Sequence, residues 1–307
     1  MVDRWLIAFI VYVVVNIAVV ILAIIKAKMT RKISERTAFG FLGLATALAA
    51  LPVLFIIIYT IVNGAGAISW SFLTQAPSQA GKAGGILPVI IGTFYLMLGT
   101  LVFALPIGVM AGIYLTEYAR DNWLTRLINM AIVNLAGVPS IVFGLFGLGV
   151  FVLTFHFGLS LLAASLTLAC QALAMVITTS REAILAVPRE YREGSLAIGA
   201  TKWQTVRHIV LPQALPGIIT GAVLAISRAA GETAPILVTG AAFLVPRLPS
   251  SPFDQFMALP YHLYTVASEV PGMSKTTMWG VALVLLVVVL SFDVLAAIIR
   301  FRSRQRI

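Results

Sequence analysis

The sequence predicts an all-α protein, a polytopic membrane bundle of about seven spanning helices. Three observations predict it. First, 60% of the 307 residues are hydrophobic and 10% are charged, against roughly 45–50% apolar and about 25% charged in an average soluble protein. A globule of this size still leaves roughly a quarter of its unfolded-chain surface in water, so lipid is the solvent that fits. Second, apolar runs of twenty or more residues recur along the chain. That is the length needed to cross a ~30 Å hydrocarbon layer at ~1.5 Å per residue. Third, the segments 26–37, 116–126, 181–215 and 300–307 hold 16 of the 21 basic residues. Basic residues stay on the cytoplasmic side, which puts the amino terminus outside and the carboxyl terminus in the cytoplasm. The net charge of +10 then reads as topology, and no nucleic-acid partner is needed. One cysteine, Cys170, excludes a disulfide scaffold.

The spans are read at about 5–25, 38–62, 88–115, 127–155, 157–180, 216–244 and 277–299. The first is too long for a signal peptide, and no small-residue cleavage pattern precedes the basic run after it. Residues 1–37 are therefore read as a first spanning helix with a basic linker. The fourth and fifth spans meet around His156–Gly158 with almost no polar connector. The outer segments 63–87 and 245–276 are rich in glycine and proline, the second holding Pro246, Pro249, Pro252, Pro260 and Pro271. They are read either as connectors or as short interfacial helices offering a docking surface to an extracytoplasmic partner.

The cytoplasmic segment 181–215 is punctuated for helices. Pro188 opens one over about 189–198 and Gly199 ends it. Thr201 and Gln204 have the spacing of a capping box, opening a second helix to about Val210 that Pro212 stops. Trp203, Val206 and Val210 fall on one face of it, with Lys202 and Arg207 elsewhere. A helix of this kind lies on lipid or enters a groove in another protein.

Glu193-Gly194-Ser195, then Gly199, then Ile209-Val210-Leu211-Pro212 resembles the EAA loop of ABC-transporter membrane subunits of the MetI-like kind. The family spacing is kept, with Gly194 and Ser195 where the pattern has alanines. The resemblance implies that the loop seats in a cleft of an ATPase subunit through Glu193, Gly199, Thr201, Lys202, Trp203, Ile209, Leu211 and Pro212. It also implies that ATP and Mg bind that partner. The chain itself has no phosphate-loop motif, since Gly81-Lys82 is followed by Ala83, and no complete dinucleotide fingerprint. His156, His208 and His262 do not form metal-ligand spacing with Cys170. No cofactor and no enzymatic activity are expected of this chain.

Three ionisable residues fall inside spans: Arg228 and Glu232 in the sixth and Asp293 in the seventh. A charge at the bilayer centre costs about 2.5–3.5 kcal/mol on insertion scales, so each needs protein or water beside it. Arg228 and Glu232 are four apart and share a helix face. They are read as a buried pair that fixes packing or as part of a substrate path. Asp293, closer to Arg300, is read as a snorkelling or packing residue.

Arg228-Ala229-Ala230-Gly231-Glu232-Thr233-Ala234-Pro235 resembles the R-x-x-G-E-T-A-P segment of the phosphate-specific, PstA-type permease family. Pro106 to Leu115 with Glu117-Tyr118, and Pro139 to Phe146, agree with it. The resemblance covers about residues 38 to 300 and implies a permease core of six spans over 38–307, with residues 1–37 as an additional amino-terminal helix and basic linker. It implies a permease subunit of an ATP-driven phosphate importer, multi-pass in the cytoplasmic membrane of a prokaryote. A sister permease (PstC-type), an ATPase dimer (PstB-type) and an extracytoplasmic phosphate-binding protein (PstS-type) are the implied partners. Arg228, Glu232 and Thr233 are the expected path or gate residues. Ser140 is read as a hydroxyl on the path, although Gly137, Gly144, Gly147 and Gly149 around it equally suit tight packing. Gly108 and Gly112 mark a helix contact, within the chain or with the sister subunit. Arg181-Glu182 is read as an interfacial anchor. A related oxyanion, or a proton-coupled secondary carrier using the Arg228–Glu232 pair, are the alternatives; the long capped loop would have no job in a secondary carrier.

Overall fold

The computed structural model describes residues 35–245 and 247–304. The expected first span and most of the basic linker lie outside the described residues. The chain divides into two compact units, one ending at Asn63 and the other beginning at Gly64. The first is represented by helix α1 (Glu35–Gly64), which carries Pro52 in its interior. Phe39, Leu42, Val53, Leu54, Ile56 and Val62 on it are all largely exposed. A helix apolar all round suits a lipid environment.

The second unit begins with short elements. Helix α2 (Trp70–Thr74) is capped by Ser69, whose Oγ accepts from Phe72 N at 3.1 Å. A two-residue antiparallel hairpin follows, β1 (Pro77–Ser78) with β2 (Ala83–Gly84), pairing Pro77 with Gly84. Helix α3 (Leu87–Ile113) runs on through a π turn at Tyr114–Tyr118. Helix α4 (Trp123–Ala136) starts at Asn122, whose Oδ1 accepts from Thr125 N at 2.8 Å. Next come α5 (Ser140–Gly147), extended by a π segment to Thr154, and α6 (Leu161–Leu185), capped by Ser160. Helix α7 (Arg189–Ala197) precedes α8 (Lys202–Thr205), which passes through a π turn at Val206–Val210 into α9 (Leu211–Ala230). The chain continues with α10 (Ala234–Leu237), α11 (Leu259–Ser268) and α12 (Lys275–Arg304).

Among the described residues, five helices are long and apolar enough to cross a membrane: Leu42–Ala67, Leu87–Tyr118, Leu161–Leu185, Lys202–Ala230 and Lys275–Phe301. The expected fourth span, 127–155, is instead two helices meeting at 105°, a sixth crossing if the bent pair counts as one. Pro139 has no N–H for the Leu135 carbonyl and disfavours helical backbone at Val138, so the helix breaks there. The expected sixth span, 216–244, is displaced toward the amino terminus. Pro212 does not stop the capped helix. It falls in the first turn of α9, directly after the π turn, where widened bonding absorbs a missing donor. The helix ends at Ala230 instead. Gly231 N and Glu232 N bond back to the Arg228 and Ala229 carbonyls at 3.1 and 3.2 Å, and Pro235 forbids a further turn.

Helix α6 packs between α3 and α9, and small residues set the separation. A Cβ added at Gly108 would stand 2.5 Å from Val176 Cγ1, and one at Gly112 2.8 Å from Ser180 Cβ. On the other side a Cβ at Gly217 would stand 2.7 Å from Ala183 Cβ. The Gly108/Gly112 pair is thus a contact within this chain. The threonines Thr167 and Thr178 on α6 bond to their own helix, at the Ala163 carbonyl (2.7 Å) and the Ala174 carbonyl (2.8 Å), which satisfies these hydroxyls in an apolar interior.

The outer segments fold against the ends of these helices. Phe256, Met257, Ala258 and Leu259 are fully buried, and Leu259 N donates to Thr93 Oγ1 of α3 at 2.8 Å. His262 is also buried and stacks on Phe243 with ring centroids 5.5 Å apart. Burial pushes its pKa down to about 4, so the ring packs as a neutral aromatic.

The close approach at Gly108 yields a stability prediction. Gly108→Val should lower stability by about 1–3 kcal/mol through overpacking, read as a fall in melting temperature of the detergent-purified protein. Gly149→Ala, at a position with open space around it, should leave the melting temperature unchanged.

Candidate functional site

Two places assemble the residues that the sequence singles out. The first is the segment 181–215. Helix α7 ends as expected. Gly199 has φ +88°, the left-handed conformation that glycine adopts without strain, and its N–H bonds to the Leu196 carbonyl at 3.0 Å while Ala200 N bonds to Ser195 at 3.2 Å. The capping box at α8 is complete. Gln204 N donates to Thr201 Oγ1 at 3.3 Å and Thr201 N donates to Gln204 Oε1 at 2.8 Å.

The two departures from the alanine pattern have local explanations. Ser195 is buried and its Oγ bonds Thr205 Oγ1 at 2.9 Å, tying α7 to α8. Gly194 has open space where an alanine Cβ would sit.

The face expected to be Trp203, Val206 and Val210 divides. Val206 and Val210 are buried within this chain, Val210 against Ile184, Val187, Ala214 and Ile218. Trp203, in the first turn of α8, stays exposed beyond that cluster, as do Tyr191, Leu196 and Ile198, the last 86% exposed. The outward apolar patch is therefore drawn from both short helices.

One largely shielded ion pair fixes this segment. Arg192 and Glu117 are 18% and 10% exposed, and Arg192 Nη2 lies 2.9 Å from Glu117 Oε1. The same guanidinium donates to the Val187 carbonyl at 2.6 Å and the Ile184 carbonyl at 2.8 Å. These carbonyls lie at and just beyond the end of α6, where regular helical bonding runs out. Lys202 Nζ lies 5.0 Å from the Tyr118 ring centroid, within cation–π range. The end of α3, the end of α6 and the two short helices are thus held at one point.

The second place is the end of α9. Arg228 Nε lies 3.7 Å from Glu232 Oε1, with the side chains 65% and 17% exposed. Two recesses flank the pair. One, of about 330 Å³, runs along α6 past Gln171, Thr178, Thr179 and Glu182, with Leu135, Val138 and Phe143 from the α4–α5 bend as its apolar wall. Its volume is far above the ~10–15 Å³ needed to admit a water. The other, of about 460 Å³, is lined by Ser227, Arg228, Glu232 and Asp293.

Asp293 therefore shares a recess with Arg228, where the sequence suggested a snorkelling role. Gln171 and Glu182 went unread as site residues. Gln171 donates through Nε2 to Glu232 Oε1 at 2.7 Å. Their signal was present: Gln171, Thr178 and Glu182, at intervals of seven and four, make a polar stripe on one face of an apolar helix. Arg181 points elsewhere, donating to Asn129 Oδ1 at 2.8 Å. Thr233 and Ser140 line neither recess. Thr233 precedes α10 and its carbonyl accepts from Leu237 N at 3.1 Å. Ser140 opens α5, and Gly144 one turn on allows the close approach of Pro235 in α10, whose Cα would stand 3.0 Å from an added Cβ.

Comparison with known proteins gives a consistent result. The family described as "Binding-protein-dependent transport system inner membrane component" matches residues 104–305. The probable ABC transporter permease protein YqgI of Bacillus subtilis is 35% identical over 74% of this chain and 77% of its own. The phosphate transport system permease protein PstA 1 of Mycobacterium tuberculosis is 33% identical over 91% of this chain and 92% of its own. Among solved structures, the MetNI methionine ABC transporter in an inward-facing conformation has a chain of like fold. Its TM-score is 0.56, at 21% identity over 70% of this chain and 96% of that one.

Glu117→Ala leaves the Arg192 charge buried without its counter-ion and should destabilise the protein by about 3 kcal/mol. The expected readout is faster proteolysis within 189–210 in the detergent-purified protein. Glu117→Gln, which keeps a carbonyl acceptor, should lose less.

Proposed function

We propose that this chain, which belongs to the family of binding-protein-dependent transport system inner membrane components, is the membrane-spanning permease subunit of an ATP-driven phosphate importer. It works in the cytoplasmic membrane of a prokaryote beside a homologous sister permease. An ATPase dimer on the cytoplasmic face binds ATP and Mg, and an extracytoplasmic phosphate-binding protein delivers the anion. The names of the relatives over nine-tenths of the chain support the substrate class.

The observation that carries the mechanism is Arg228. Its guanidinium borders both recesses, and its ion-pair partner stands at 3.7 Å, beyond hydrogen-bond distance. An arginine stays charged under any plausible shift, and its planar fork matches phosphate oxygens. A dehydrated phosphate, mono- or dianionic at neutral pH, needs such a fixed cation along its path. Glu232 balances Arg228 when no anion is present. It repels anions if it stands alone, so it acts as a gate element and yields the guanidinium to the passing anion.

The segment 181–215 transmits the ATPase stroke. Tyr191, Leu196, Ile198 and Trp203 form the apolar patch that seats in the ATPase cleft. The Arg192–Glu117 pair and the contacts around it carry the push to α3 and α6 as a rigid group.

The test is reconstitution of the complex, purified through a tag on this chain. Arg228→Ala should assemble normally and lose about 10- to 100-fold in ATP-driven phosphate uptake, the scale of a charge-assisted hydrogen bond. Undiminished uptake would sink the proposal. Trp203→Ser should lower uptake per ATP hydrolysed without affecting membrane insertion, measured as the ratio of the two rates in the same vesicles.

A further inference from the structure

Two groups converge on one carboxylate oxygen at the end of α9. Glu232 Oε1 accepts from Gln171 Nε2 at 2.7 Å, while Arg228 Nε stands 3.7 Å from the same atom. The short bond comes from a neutral amide on another helix, 61 residues away, and the longer approach comes from the cation four residues back. In isolation the opposite ranking is expected, because an ionised donor makes the shorter and stronger bond to a carboxylate. Two features of the fold reverse it. The helix closes at Ala230, and the turn bonds from Gly231 and Glu232 swing the Glu232 backbone off the helical path. Helix α6, held close to α9 by Gly217 and Gly221, brings Gln171 to where the carboxylate then lies.

The amide has a definite orientation. Its Oε1 is buried and has no hydrogen-bond partner among the described residues, and an unmade bond of this kind is unfavourable in a packed interior. Turning the amide over would set that oxygen against the Glu232 carboxylate. The side chain tolerates an orphan acceptor because its donor is committed to Glu232. Arg228 meanwhile donates no hydrogen bond among the described residues and remains 65% exposed.

We propose that Gln171 is a positioning residue for anion passage: it holds the Glu232 carboxylate off Arg228, so that the guanidinium fork stays open to the anion. Without the Gln171 donor, the carboxylate turns to the nearest remaining donor, Arg228, and the pair closes over the position an oxyanion occupies. Gln171 has this role only if Arg228 carries the anion, as proposed above, but the state of the guanidinium can be read without transport.

The experiment measures modification of Arg228 by phenylglyoxal, a reagent for free guanidinium groups, in the purified complex, with peptide mass spectrometry at that residue. Gln171→Met keeps the side-chain length and removes the donor, and Gln171→Leu serves if the methionine variant does not assemble. The modification rate should fall about tenfold in the Gln171 variant, the scale of one charge-assisted bond. It should return to the unsubstituted rate in Gln171→Met/Glu232→Gln, where no carboxylate is left to close on Arg228.

An unchanged or faster rate in Gln171→Met overturns the proposal. So does a slow rate that Glu232→Gln fails to restore, which marks Gln171 as a packing residue. Phosphate uptake by Arg228→Ala is measured alongside. Persisting uptake removes the anion-carrier reading itself, whereas lost uptake with an unchanged modification rate in Gln171→Met removes only the role of Gln171.

Discussion

The close approach of α6 to both α3 and α9 is the constraint on which the rest of the second unit depends. In hydrocarbon, apolar side chains gain little by leaving lipid for one another, so helices associate through close packing and a few polar contacts. Glycines on α3 and α9 supply that packing, with Val176, Ser180 and Ala183 of α6 filling the space they leave. Once α6 is fixed, its polar stripe faces the recess near Arg228, and its carboxyl end lies beside the close of α3. Both candidate sites are therefore referenced to one helix.

Two arginines show opposite uses of the same side chain. Arg192 is saturated: its guanidinium reaches a carboxylate and the carbonyls of Val187 and Ile184 at 2.6–2.9 Å. A buried charge so fully bonded serves to join elements, because breaking any one contact leaves the rest uncompensated. Arg228 is open, flanked by carboxylates at Glu232 and, across the second recess, Asp293. An unsaturated cation is poor glue and a good transient partner for a mobile anion. The fold places the saturated arginine beneath the short helices α7 and α8 and the open one at the end of a spanning helix.

Much of this was legible in the residues. Hydropathy located the long helices expected at 38–62, 88–115, 157–180 and 277–299 to within a few positions, because lipid solvation demands an unbroken apolar run. The span expected at 216–244 lies instead at Lys202–Ala230. The capping box at Thr201–Gln204 and the helix end at Gly199 were readable because each rests on local chemistry. Less legible was anything decided by a neighbouring helix. Pro139 signals a break, yet the 105° angle reflects what α5 packs against. Pro212 has the look of a stop signal, and only the π turn before it explains why the helix continues. Trp203 shares a helical face with Val206 and Val210, but only the later two are buried within the chain, Val210 in the cluster around Ile184. Gln171 is an ordinary polar residue in an apolar helix until Glu232 arrives from sixty residues away.

The π turn at Val206–Val210 has a consequence for how the chain tolerates change. A π turn amounts to one extra residue in an α-helix, and each residue advances the helix by about 100°. The segment from Lys202 to Ala230 is therefore two helical stretches out of phase with each other, joined by an insertion that keeps the backbone continuous. The azimuth at which the exposed patch around Trp203 projects is set by that single residue, independently of the face that α9 turns toward α6. Register at the exposed patch and register within the bundle are thus separate variables in one helix.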